Sequence, residues 1–210
     1  MTTLIGIAAI AVVAWFAAGT TWNVRKGRAL MRWMQDGLPA LGERTTVRWL
    51  GSSAVELAIR DGKDPFTAVT LVIFLEPRDV PWLWAFGRSR GRTDTLIVRG
   101  ALRRVPALEL EALDPASWSG REALKRVPRE WLVRKAAHAG TPVVHHASAA
   151  ALAQADALLA LAARSGLIVR RLSLRRSEPN FQLHLRLPDS RQSARSFFAA
   201  VQTLAAGAFT

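Results

Sequence analysis

The stretch VELAIRDGKDPFTAVTLVIFL, residues 55–75, decides the fold class. Val55, Leu57 and Ile59 alternate with Glu56, Ala58 and Arg60, the two-residue period of a strand with one buried face. The turn DGKDP then sends the chain back through FTAVTLVIFL. That run is apolar at nearly every position and rich in β-branched side chains, which predicts a central strand covered on both faces. Together the two runs predict an antiparallel hairpin.

A second hairpin is predicted downstream. Ile168, Leu172 and Leu174 fit a strand, RSEPN makes the turn, and Phe181, Leu183, Leu185 and Leu187 alternate with Gln182, His184 and Arg186. TLIVRG near Thr95 and ALELEAL near Leu108 are shorter strand candidates. Helices are predicted from Asp114-Pro115, where Asp caps free N–H groups and Pro fits the first turn. Another is AAALAQADALLALAARSG, capped by Ser148 and ended at Gly166. Phe197, Val201 and Leu204 mark a last amphipathic helix. This order predicts an α+β domain with an antiparallel sheet and helices packed on one face. No glycine-rich phosphate loop stands at a strand-to-helix turn.

Upstream, Gly37, Pro39 and Gly42 predict a turn-rich linker, with the folded domain over residues 43–210. Residues 3–22, TLIGIAAIAVVAWFAAGTTW, carry no charge and as a helix cover about 30 Å, the thickness of a bilayer core. A signal peptide and a buried helix pass the same test, but a signal peptide wants basic residues before its apolar run. Here Arg25, Lys26, Arg28 and Arg32 follow it instead. The expectation is a single-pass transmembrane anchor at 3–22, a basic juxtamembrane segment and linker at 23–42, and a cytoplasmic domain behind them. By the positive-inside rule the N-terminus lies outside the plasma (inner) membrane. Trp22 and Trp33 join the four basic residues as the expected membrane flank.

Charge is the strongest compositional signal. Lys and Arg number 29 against 16 Asp and Glu, giving +13, and only Lys26, Lys63, Lys125 and Lys135 are lysines. Such a surface attracts polyanions, and Arg favours bidentate contact with phosphate or carboxylate. There is no Cys, which excludes disulfides, thiolate nucleophiles and Cys-based metal sites. The histidines His138, His145, His146 and His184 are too scattered to predict a metal site, and no cofactor is implied.

The most distinctive local feature is EPRDVPWLWAFGRSRGR, residues 76–92, where Trp82, Trp84 and Phe86 precede Arg88, Arg90 and Arg92. Rings that enter a headgroup layer beside guanidinium groups that meet phosphates suit an anionic lipid surface or an acidic membrane-protein partner. The bland alternative makes the rings core and the arginines a solvated loop. A second basic group, Arg170, Arg171, Arg175 and Arg176, could meet a polyanion. No nucleic-acid-binding signature accompanies it, so tethered nucleic-acid binding is the weaker expectation. Glu56, Glu76, Asp79 and His184 are candidates for a third reading, an enzyme acting on a membrane lipid, though no catalytic constellation is legible. The leading expectation is a non-enzymatic, membrane-anchored binding or scaffold module.

Overall fold

The computed structural model describes residues 1–135, 143–188 and 192–209. Its elements in chain order are α1 (Thr2–Gln35), β1 (Gly42–Trp49), β2 (Ala54–Gly62), β3 (Phe66–Phe74), α2 (Pro81–Ser89), β4 (Thr95–Leu102), β5 (Leu110–Leu113), α3 (Trp118–Leu124), β6 (Leu132–Lys135), β7 (Val143–His146), α4 (Ala149–Arg164), β8 (Val169–Leu174), β9 (Phe181–Arg186) and α5 (Ala194–Ala206). The strands form one sheet in the order β1-β2-β3-β4-β9-β8-β5-β7-β6. Every described pairing is antiparallel. The chain is α+β, as its sequence predicts.

Both predicted hairpins form. In β2–β3 the pairs Val55↔Ile73, Leu57↔Leu71 and Ile59↔Val69 put one strand's alternation onto its neighbour. The apolar row continues across the sheet through Val98, Leu183, Leu172, Ala112 and Val144, because antiparallel register keeps a face on its own side. α4, α5 and the second half of α1 cover this face with Leu158, Leu159, Phe197, Phe198, Leu30 and Met34, all buried. Each such Leu or Phe contributes about 1.5–3 kcal/mol of transfer free energy.

The opposite face is polar. Thr70, Arg99, Gln182, Ser173, Glu111 and His145 stand in one cross-strand row, and Ile97, His184 and Arg171 stand in the next. The short helix α3 lies over β5 and β8 on this side. It begins at Trp118 under a cap from Ser117, whose hydroxyl accepts from the Gly120 N–H at 3.0 Å. Asp114, the predicted cap, instead holds a turn by accepting from the Ala116 N–H at 2.9 Å. Asx turns compete with helix starts for the same side chain, and here the turn wins.

α4 begins where the sequence places it, with the Ser148 hydroxyl accepting from the Ala151 N–H at 3.2 Å. Ser148→Ala is expected to cost about 1 kcal/mol of stability in a urea titration. A cost under a few tenths would mean that water replaces the cap.

α1 is a single helix of 34 residues, long and apolar enough near its start to cross a membrane. Residues 1–18 are exposed throughout. From Gly19 onward, Gly19, Asn23, Gly27, Leu30 and Met34 form one buried stripe at spacings of four and three. A Cβ on Gly19 would lie 2.3 Å from the Arg78 carbonyl oxygen, and one on Gly27 would lie 2.8 Å from the Trp49 ring. At Gly19 the obstacle is backbone, so only glycine lets the helix approach that closely, whereas at Gly27 it is the outer edge of the partly exposed Trp49 ring. The segment 23–42 thus supplies Leu30, Met34, Leu38 and Leu41 to the core. A stripe built partly of Gly and Asn leaves little hydropathy to read, which is why the sequence suggests a linker there.

Candidate functional site

The Trp/Arg segment folds as α2, with Val80 before it and Pro81 in its first turn. Pro fits that turn because it has no N–H to leave unpaired and its φ is already helical. The helix has two faces. Trp84 turns inward, its indole N–H donating to Glu76 Oε2 at 2.8 Å, and its ring lies 6.4 Å from that of Trp15 on α1. Trp82, Leu83 and Phe86 turn outward and are 62%, 50% and 56% exposed. Arg90 lies over Phe86 at 4.3 Å and Arg88 over Trp84 at 5.9 Å, so guanidinium groups sit beside the rings.

Polar contacts fasten this corner to α1. The Trp15 indole donates to the Arg78 carbonyl at 2.9 Å, and the buried Asn23 amide donates to the Glu76 carbonyl at 3.0 Å. Asp94 is the hub. Its carboxylate accepts from Arg78 Nη1 and Nη2 at 3.1 and 3.0 Å, from Lys26 Nζ at 2.6 Å, and from the Glu76 backbone N–H at 2.7 Å. Burial pushes the Asp94 carboxyl up, but Arg78, Lys26 and that N–H more than reverse it and leave the group below its ordinary value. Glu76 also meets Arg78 at 3.1 Å and Arg88 at 3.5 Å.

The flank residues read from the sequence divide between two environments. Trp22, Arg25, Arg28 and Arg32 are exposed on α1, whereas Lys26 is committed to Asp94. Trp33 is turned into the domain, its indole donating to the Gln192 carbonyl at 2.6 Å and its ring lying 5.5 Å from Phe197. The chain matches no protein-family model and no curated protein.

The second basic group is paired within the protein. Arg170 bonds Asp114, Arg171 and Arg175 both bond the buried Glu111, and the Arg176 N–H donates to Glu109 at 2.9 Å. Arg175 also covers the Trp131 ring at 4.4 Å. Three of these guanidinium groups are thus held by carboxylates, and the Arg176 guanidinium donates to the Ala107 carbonyl at 3.1 Å.

A cavity of about 500 Å³ opens on the polar face of the sheet. Its floor includes Phe74, Ile97, Arg99, Gln182 and His184; α3 and residues 91–93 form much of its wall. His184 is buried. Loss of water is the largest reason its imidazole is pushed down to about 3, with Arg171 and Arg99 adding to the effect. Gln182 Nε2 lies 3.0 Å from His184 Nε2, while His184 Nδ1 has no hydrogen-bond partner among the described residues. Arg92 lies 5.7 Å from the centre of the Trp118 ring at the rim.

Sequence reasoning missed Arg99, Trp118 and Arg126 in this cavity. One signal was present: in TLIVRG, Leu96 and Val98 face the core, so Ile97 and Arg99 share the opposite face in mid-sheet.

The carboxylates considered for catalysis do not converge. Glu56 pairs with Arg48 at 3.4 Å, Asp79 accepts from Ser52 at 2.7 Å, and Glu76 belongs to the Asp94 network. None of them lines the cavity that holds His184. Among the described residues no three His, Asp or Glu gather as metal ligands. His145 faces Glu111 across β5 and β7, while His146 Nδ1 bonds the Ser148 carbonyl at 2.8 Å just before α4. His138 lies outside the described residues.

Proposed function

We propose that this protein is a single-pass membrane-anchored, non-enzymatic binding module whose domain rests on the cytoplasmic leaflet of the plasma membrane, with α2 docked among anionic lipid headgroups. The observation that carries the reading is the contact between Trp15 and Trp84, which ties α2 to the exposed apolar half of α1. Residues 2–18 measure about 26 Å as a helix, close to a bilayer core, and α2 meets the helix at Trp15, about one turn before their end. Trp82, Leu83 and Phe86 then enter the headgroup region, where amphipathic rings are stable. Arg88 and Arg90 lie within reach of lipid phosphates, each basic residue near an anionic surface contributing about 1 kcal/mol. The positive flank Arg25, Arg28 and Arg32 supports the orientation.

The absence of cysteine makes a clean test available. Nitroxide labels placed at Trp82→Cys, Phe86→Cys and Val133→Cys of the full chain, in bilayer discs containing anionic lipid, report contact with dissolved oxygen or with an aqueous nickel chelate. Positions 82 and 86 are expected to be oxygen-rich and shielded from nickel, with position 133 fully in water. Replacing both Arg88 and Arg90 by Gln is expected to weaken the shielding, and neutral discs to weaken it likewise. Equal nickel access at 82 and 133 sinks the lipid-docking reading and leaves α2 as a surface for an acidic protein partner. Protease added to sealed vesicles from either side reads the orientation.

A further inference from the structure

We propose that the cavity beneath α3 binds an organic phosphate: a phosphate or diphosphate group attached to a flat or apolar body. Five arginines line it (Arg92, Arg99, Arg126, Arg170 and Arg171) against one carboxylate, Glu122. Asp114 and Glu111 hold Arg170 and Arg171 from behind, and Glu122 bonds Lys125 at 2.9 Å. Arg92, Arg99 and Arg126 form no ion pair among the described residues, although Arg126 stands near enough to Glu122 to help Lys125 lower its carboxyl. Those three groups carry fifteen N–H donors between them and no acceptor, a composition suited to phosphate oxygens.

The rest of the cavity defines the body of the ligand. Ile97 and Phe74 on the floor and the half-exposed Trp118 at the rim give apolar surface, with Arg92 beside the indole. A volume of about 500 Å³ suits a small molecule and is too small for a folded partner or a nucleic-acid duplex. Buried His184 adds a neutral imidazole whose Nδ1 lacks a partner among the described residues, on a floor shared with Arg99, Gln182, Ile97 and Phe74. Gly91, Arg92 and Thr93 also line a second opening beside Lys26, Leu30 and Arg88, so the two openings share a wall near the corner where α1 meets the domain. A soluble phosphate and a lipid head phosphate therefore share one chemistry here. The inference does not depend on α2 touching lipid.

The full chain in uncharged detergent micelles is titrated by calorimetry with adenosine diphosphate, with inorganic pyrophosphate, and with micelles carrying phosphatidic acid. Saturable binding of at least one probe is expected, and the Arg99→Gln, Arg126→Gln double variant is expected to weaken it at least tenfold. Both arginines are exposed, so an unchanged unfolding midpoint in that variant separates loss of the site from loss of the fold. Trp118→Ala is expected to weaken adenosine diphosphate binding while sparing pyrophosphate. Arginine-dependent binding of adenosine diphosphate or pyrophosphate assigns a soluble ligand, and arginine-dependent binding of phosphatidic acid alone assigns a lipid head. Binding of none, or binding that ignores both Arg99 and Arg126, overturns the proposal. Trp82→Ser with Phe86→Ser is expected to leave probe binding unchanged, whatever it does to membrane docking.

Discussion

Asp94→Ala is expected to lower the stability of the full chain by about 3–5 kcal/mol, measured as urea unfolding in uncharged micelles. The carboxylate accepts four hydrogen bonds from three residues that otherwise have few alternatives. Removing it leaves the Arg78 guanidinium and the Lys26 ammonium partly desolvated against α1, with Glu76 as the remaining carboxylate nearby. Breaking a buried pair costs more than the pair contributes, because the surviving charge stays behind without a counterion. Asp94→Asn keeps the shape and some hydrogen bonding and is expected to fall between the two. Since the network joins α1 to the loop before α2, Asp94→Ala is also expected to expose residues 19–35 to protease. A cost below about 1 kcal/mol would mean that water already solvates the cluster.

Acid is expected to unfold the protein through a different group first. The His184 imidazole is held at about 3 in the folded chain, against about 6.5 when unfolded. Between these values the unfolded chain binds a proton that the folded chain refuses, so stability rises with pH across the window and falls as the solution is acidified. From pH 7.5 to pH 5 the loss from this residue is about 2 kcal/mol. His145 contributes in the same direction, because burial lowers it despite the neighbouring Glu111. Asp94 acts later. Its folded value lies below the ordinary 3.8, so its stabilisation is present above that value and is lost as pH falls through the lower one. His184→Gln is therefore expected to flatten the curve between about pH 3 and 6.5 and to leave only the loss below that window intact. An unchanged slope in that variant would mean that the imidazole is solvated and titrates normally.

How much of this was legible depended on what each segment had to bury. β2, β8 and β9 print their alternation because one face of each is covered, β3 shows as a nearly unbroken apolar run, and α4 announces both its cap and its end. β1 was not legible: ERTTVRW lies on the sheet edge and is exposed along most of its length, so burial imposes no pattern. β6 and β7 are four residues each, too short for a period to show. The composition of α2 was read as a feature, but its helix was missed although Pro81 marks its first turn. The cavity was out of reach because Arg99, His184 and the pair Trp118 and Arg126 come from three separate segments. Only the pairing of β4 with β9 and the placing of α3 bring them together.

The rod that begins as α1's exposed apolar half runs without interruption into the core, ending against α5. A domain strung on a flexible leash samples every orientation; this one has no swivel. Turning the first part of the rod by one residue's worth, about 100°, must carry the whole sheet around with it or tear Gly19 and Asn23 from their seats. A torque applied at one end is therefore delivered at the other. In a bilayer the sheet would turn only as the whole helix turns and would keep one tilt against the surface, so whatever meets it always finds the same face at the same height.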